Sequence, residues 1–165
     1  MLAINQVGFF PYTPGTQMLH GLVEGVEMLH EEGLDNVFAR HDRLAEATRR
    51  AVKAWGLENL NKNAGQYSPT ITAVMMPEGH DADKFRALAL ETFNISYGAS
   101  FGAYAGKYFR IGHLGDCNDA MLLGGLSATE MALQLAGVPI KKGGVQAAMD
   151  YIVSAHSSAA KKAAE

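Results

Sequence analysis

Two helical periodicities fill the chain between Thr16 and Gly56, before any strand signal begins. Met18, Leu19, Leu22, Val26 and Leu29 recur at helical spacing, and Gly33 stands where a left-handed C-cap would stop them. Asp35 can cap a second helix whose buried face would be Phe38, His41, Leu44, Ala45, Thr48, Val52 and Trp55. Glu46 and Arg50 fall one turn apart on its wet side, and Gly56 ends it. The residues before Thr16 show no period, and Pro11 and Pro14 keep them extended, so they are expected to form an arm.

Strand signals come later. Pro69 to Pro77 is a β-branched run bounded by prolines, Ile95 to Tyr97 could form a short strand, and Lys107 to Leu114 a third. Asn59 to Ser68 is a polar loop. Asp81 caps a short helix carrying Phe85, Leu88, Ala89 and Phe93, which Asn94 ends. Helices over Asn118 to Ala136 and Gly144 to His156 follow, then an Ala/Ser/Lys tail expected to fray. The pattern is α+β, with the strands in one small sheet and helices on one face. The first two helices precede every strand, and the arm has nothing here to pack against. Both features suggest that the chain belongs to something larger, either a longer polypeptide or an obligate dimer.

At 165 residues the chain can bury about 70% of its unfolded surface, so its core needs neither disulfide nor metal. A net charge of −3 with scattered lysines and arginines gives no footprint for nucleic acid or an anionic membrane. A single cysteine and the lack of a basic run leading into an apolar stretch after Met1 predict a cytoplasmic setting. The six histidines include no pair at helical metal-ligand spacing, so no metal is expected. Cys117 would need a neighbouring base to act as a nucleophile. The glycine-rich loop from Gly98 to Gly106 precedes a strand, unlike a dinucleotide-binding loop, and suits a mobile cleft edge.

Two segments could carry chemistry. Strand alternation puts Phe109, Ile111 and His113 on one face of Lys107 to Leu114 and Tyr108, Arg110, Gly112 and Leu114 on the other. If the apolar face meets the helices, Arg110 points away from them. It would there either grip a carboxylate with its planar fork or pair with a structural acid. In Phe9 to Thr16, hydroxyls gather at a helix N-terminus, where they could meet an anion such as phosphate or merely cap the helix.

Phe10-Pro11-Tyr12-Thr13-Pro14, Glu32 to His41, Phe109-Arg110-Ile111-Gly112-His113-Leu114-Gly115-Asp116 and Glu130-Met131-Ala132-Leu133 before Gly137-Val138-Pro139 occur in the order and spacing of a known family. The chain resembles, from its first residues to about Ile152, the C-terminal part of serine–glyoxylate and alanine–glyoxylate aminotransferases, class V, fold-type I pyridoxal-phosphate enzymes. The resemblance implies a small C-terminal domain over residues 34–160, with a mainly antiparallel sheet and a long connecting helix before it. Residues 1–33 would be an arm and helix belonging with a large domain. It gives Arg110 the substrate carboxylate and Thr13 the cofactor phosphate of the other subunit in a homodimer. Tyr12 could add a hydroxyl, since Phe10 stands where some relatives carry tyrosine. His113 is typical of the serine–glyoxylate branch, although a histidine on an apolar strand face is commonly a packed core residue. The family's cofactor-bearing lysine lies upstream. None of Lys53, Lys62, Lys84, Lys107, Lys141, Lys142, Lys161 and Lys162 stands in its context, so no catalytic residue is expected in this chain and it should not transaminate alone. The expected full-length activity moves an amino group from serine or alanine to glyoxylate. The competing expectation is a non-catalytic module for dimerisation or carboxylate binding.

Overall fold

The computed structural model describes residues 2–164, with side chains over 3–158. It divides into two compact units, Met1–Phe38 and Ala39–Glu165. The first carries a one-turn helix, α1 (Leu2–Asn5), an extended stretch, and α2 (Thr16–Glu32). The opening residues are thus not wholly an arm: Val7 and Gly8 N–H groups close a turn on Ile4 and Asn5, and Gly8 releases the chain at φ 81°. Gly33 does stop α2, its N–H bonding Leu29 O at 3.0 Å with φ 82°. None of the residues of α2 is buried.

Helix α3 (Leu34–Trp55) starts two residues earlier than a cap at Asp35 would place it. The turn at Gly33 feeds straight into the helix, and Val37 N–H bonds Gly33 O at 3.0 Å. Asp35 therefore sits in the first turn, where its charge complements the helix dipole instead of capping. Leu44, Ala45, Thr48, Val52 and Trp55 are buried as the period predicts, but Phe38 is exposed and Val37 takes the inward position. Glu46 and Arg50 pair at 2.8 Å.

The sheet has the order β1-β2-β3, with all neighbours antiparallel: β1 (Glu58–Asn59), β2 (Ile71–Met75) and β3 (Tyr108–Gly112). Its register pairs Thr72 with Ile111, Ala73 with Arg110 and Val74 with Phe109. Strand β1 takes the first residue of the expected loop, Asn59, with Glu58 before it, while Ile95 to Tyr97 forms no strand; only Gly98 bridges to Arg110. Tyr97 is drawn instead into an aromatic cluster with Phe85 and Phe109, ring centres 4.5–5.4 Å apart.

Helix α4 (Ala82–Phe93) is capped by Asp81, whose carboxylate accepts from Asp83 and Lys84 N–H, and ends at Asn94 in the left-handed conformation. It packs on β3 and on α5 (Asp119–Leu135), and α5 packs on α6 (Gly144–Ala164). Helix α6 does not stop at His156 but runs into the Ala/Ser/Lys tail, to Ala164, as the tail's alanine- and lysine-rich composition favours. Val74, Phe109 and Ile111 join Leu44, Trp55, Phe85, Leu126, Leu133 and Ile152 in one core, which covers one sheet face with helices.

Glu130 of α5 fastens three helices together. Its carboxylate accepts Trp55 Nε1–H at 2.7 Å and the N–H groups of Gly143 and Val145 at 3.1 and 3.3 Å, at the start of α6. Burial works to raise its pKa, but these donors more than offset that, so the carboxyl sits below its usual value. Gly144 must be glycine here, because a Cβ would lie 2.2 Å from Trp55 Nε1. Gly144→Ala and Glu130→Ala are each expected to cost about 2–3 kcal/mol in urea denaturation, the first through overpacking and the second through loss of its three bonds and the orphaned indole N–H of buried Trp55. Gly124→Ala, at a helical glycine with open space around it, should instead gain up to about 1 kcal/mol.

Candidate functional site

Arg110 lies opposite the core-facing Phe109 and Ile111, as alternation requires, and is half-buried. Both of its backbone hydrogen bonds go to one side, where Gly98 exchanges two N–H···O bonds with it, each 3.0 Å; toward β2 it faces Ala73 in a non-hydrogen-bonded pair, held there by the bonds of its strand neighbours. The side-chain Nε–H donates to Ala99 O at 3.0 Å, and the guanidinium carbon lies over the Phe101 ring, 4.5 Å from its centre. Among the described residues no carboxylate pairs with it and its two terminal nitrogens have no hydrogen-bond partner. The structural-acid alternative is therefore not what this unit builds. Nor does Arg110 line the larger concavities of its unit. One of about 250 Å³ is bounded by Arg49, Asn59, Tyr67 and Thr72, and a wider groove runs past Arg50 and Tyr151.

The other predicted residues lie in the Met1–Phe38 unit. Tyr12 and Thr13 are exposed in the extended stretch before α2. The N-cap of α2 is Gly15 without a side-chain cap bond, so neither Thr13 nor Thr16 caps the helix. Thr13 makes no hydrogen bond to described residues, and its hydroxyl is open to an oxyanion. That fits a phosphate contact, but this stretch supplies no amine or acid for the rest of a pyridoxal-phosphate group.

His113 is fully buried just beyond β3. Nδ1 faces Pro69 O at 3.1 Å, and a carbonyl can only accept, so Nδ1 carries the proton. Nε2 then accepts from Thr72 Oγ1 at 2.9 Å. Both nitrogens are used in holding the Pro69–Thr72 segment against the strand end, which is the packed role. Burial, with smaller effects from Arg49 and His41, lowers the pKa to about 4.

Cys117 bonds only weakly, Sγ to Asn118 O at 3.6 Å, and burial pushes its thiol up against the opposing pull of Arg40, which disfavours the thiolate a nucleophile needs. Sequence reasoning missed Arg40. Its Nη1 donates to Gly115 O and Cys117 O at 2.7 and 3.0 Å, pinning the turn after β3. Asp119 was missed as well. It receives Arg43 Nε at 3.1 Å and His156 Nε2 at 2.7 Å, and although burial opposes it, these partners hold its carboxyl below the usual range. A charged pair spaced one helix apart gives no local sequence signal. Among the described residues no three His, Cys, Asp or Glu side chains cluster as a metal site.

No protein-family model matches the chain. It is 49% identical over 152 residues to a serine–glyoxylate aminotransferase of Hyphomicrobium methylovorum, covering 92% of this chain and 38% of that protein. It is 44% identical to an L-aspartate–glyoxylate aminotransferase of Paracoccus denitrificans, covering 94% of this chain and 39% of that protein. Among solved structures, pyridoxamine–pyruvate aminotransferase of Mesorhizobium loti superposes with a TM-score of 0.83 at 32% identity, over 88% of this chain and 38% of that one. The three-stranded sheet with its helical cover is thus a C-terminal domain of a fold-type I aminotransferase. The chain belongs to the class V aminotransferases, in the serine–glyoxylate and alanine–glyoxylate family, and corresponds to a C-terminal segment spanning under two fifths of the length of the relatives it matches.

The depressed His113 pKa makes stability depend on pH. The folded state favours the neutral ring, so the stabilisation is complete above the unfolded value near 6.5 and is lost as pH falls toward about 4. In denaturant titrations, wild type should lose about 3 kcal/mol more than His113→Gln between pH 7 and pH 4. Parallel curves for the two proteins would contradict a neutral buried ring.

Proposed function

We propose that the full-length protein is a pyridoxal-phosphate-dependent transaminase moving an amino group from a small amino acid, serine or alanine, to glyoxylate. In this reading Arg110 binds the carboxylate common to donor and acceptor. The reading rests chiefly on one observation: a half-buried guanidinium with both terminal nitrogens unpaired and no acid beside it among the described residues. Such a fork matches a carboxylate in plane and spacing, and the low dielectric around its stem strengthens the contact. Binding every substrate by the group they share leaves the differing side chains to be sorted elsewhere, which suits a reaction that must accept two substrates in turn.

The domain division at 33/34, with residues 1–33 completing a large domain and 34–160 forming the small one, belongs to the same proposal, as does a homodimer. Thr13, helped by Tyr12, would contact the cofactor phosphate of the partner subunit. The cofactor itself supplies the electron sink that makes the substrate's α-proton acidic. This chain's contribution is to orient: Arg110 fixes the carboxylate and thereby the direction in which the amine and α-carbon face. The 165-residue chain alone is then inactive, because the amine that anchors the cofactor stands outside it. A cytoplasmic setting is inferred from the single cysteine, and no helix among the described residues is long and apolar enough to cross a membrane.

Arg110→Ala in the full-length polypeptide should raise KM for both substrates about 10- to 100-fold, as loss of a charge-assisted bidentate contact predicts, with cofactor absorbance unchanged. Unaltered kinetics would remove Arg110 from the site. Borohydride treatment of the 165-residue chain mixed with pyridoxal phosphate should leave no lysine stoichiometrically labelled in a peptide mass map. One fully labelled lysine would show that the chain carries its own anchoring amine.

A further inference from the structure

The loop Gly98 to Gly106 does not stand off as a mobile cleft edge; it is fastened around Arg110. Gly98 pairs with the Arg110 backbone, Ala99 O takes its Nε–H, and Phe101 places its ring face beneath the guanidinium. The far end is tied back, Gly106 N–H donating to Ser100 Oγ and its carbonyl accepting Ala82 N–H, both at 2.8 Å. Gly98 has no room for a side chain. A Cβ there would lie 2.8 Å from Arg110 Nε and 3.0 Å from its Cβ and Cζ.

We propose that Phe101 is a positioning residue for the carboxylate clamp. With the Ala99 carbonyl it holds the guanidinium so that only the Nη1–Nη2 edge is left to a ligand. The inference rests on the reading of Arg110 as that clamp. With Nε committed to Ala99, the side-on approach through Nε and one terminal nitrogen is closed and the end-on fork remains. An arginine already held this way surrenders little rotamer freedom when it grips a ligand, which is how preorganisation turns into affinity. Phe101 remains more than half exposed, so it can be replaced without opening the core.

Two measurements test this. In the 165-residue chain, nitrogen-15 NMR should show the Arg110 Nε–H shifted by the ring and slow to exchange with water. Phe101→Leu should abolish the ring shift and speed exchange about three- to fivefold, as loss of an exposed cation–π contact predicts, and Phe101→Tyr should restore both. Gly98→Ala, which pushes on Arg110 directly, should disturb the same signal. In the full-length polypeptide, Phe101→Leu should raise KM for donor and acceptor about three- to fivefold, with kcat within about twofold and Phe101→Tyr like wild type. An Nε–H signal unmoved by Phe101→Leu overturns the positioning role. A moved signal with unchanged KM, where Arg110→Ala raises KM steeply, overturns its functional consequence. If Arg110→Ala leaves KM unchanged, the clamp reading itself fails and the inference with it, whatever the NMR result.

Discussion

The carboxylate of Glu130 collects donors from three directions, and the arrangement of the Ala39–Glu165 unit follows from it. Trp55 ends α3, Gly143 and Val145 open α6, and Glu130 itself lies in α5. A partly buried charge is costly without partners, and here three donors meet it, the buried Trp55 indole among them, so the bonds reinforce one another. Trp55 also gives its carbonyl to Lys141 N–H at 3.0 Å, so the indole and the main chain of one residue brace the same corner. The alternatives open to these helices are narrowed to one packing, and that packing provides the surface on which β3 is laid.

From that surface the position of Arg110 follows by geometry. Phe109 and Ile111 are committed to the core, Phe109 meeting Phe85 and Tyr97 ring against ring. The residue between them must face the other way. A buried polar frame supports the end of the strand: Thr129 passes its proton to Gly125 O at 2.7 Å, so the Tyr97 hydroxyl donates to Thr129 at 2.8 Å, and burial pushes the Tyr97 phenol up to about 12. The neutral His113 adds bonds to Pro69 and Thr72, so the buried polar groups around the strand are satisfied without net charge.

Much of this was legible in the chain because it is local. Asp81 and Asn94 announce their helix ends through short side chains and backbone geometry that need only neighbours within a turn. The facing of Arg110 was legible for the same reason, since alternation is a property of the strand itself. What could not be read depends on distant partners. Strand β1 is two residues long and exists only because β2 lies beside it. The Glu130 joint links residues 75 positions apart. Ile95 to Tyr97 has strand-like composition, but Tyr97 gains more from the aromatic cluster than from a ladder. Phe38 fits the helical period read from the sequence, but the inward position in the first turns of α3 belongs to Val37, and the sequence alone does not say which of two adjacent apolar residues faces in. The grip of Ala99 and Phe101 on Arg110 arises from loop conformation, which glycine-rich sequence leaves open.

The register of β3, with Arg110 facing Ala73 across β2 and bonded through its backbone to Gly98 on the other edge, has a consequence for how this segment can vary over time. Sliding β3 by a single residue would swing the guanidinium in among the rings and turn Phe109 out to water. Folding therefore carries its own check on orientation: any chain that assembles this core has already set which way the arginine faces. Drift in the surrounding sequence can weaken this segment, but it has no gradual path by which to misdirect it.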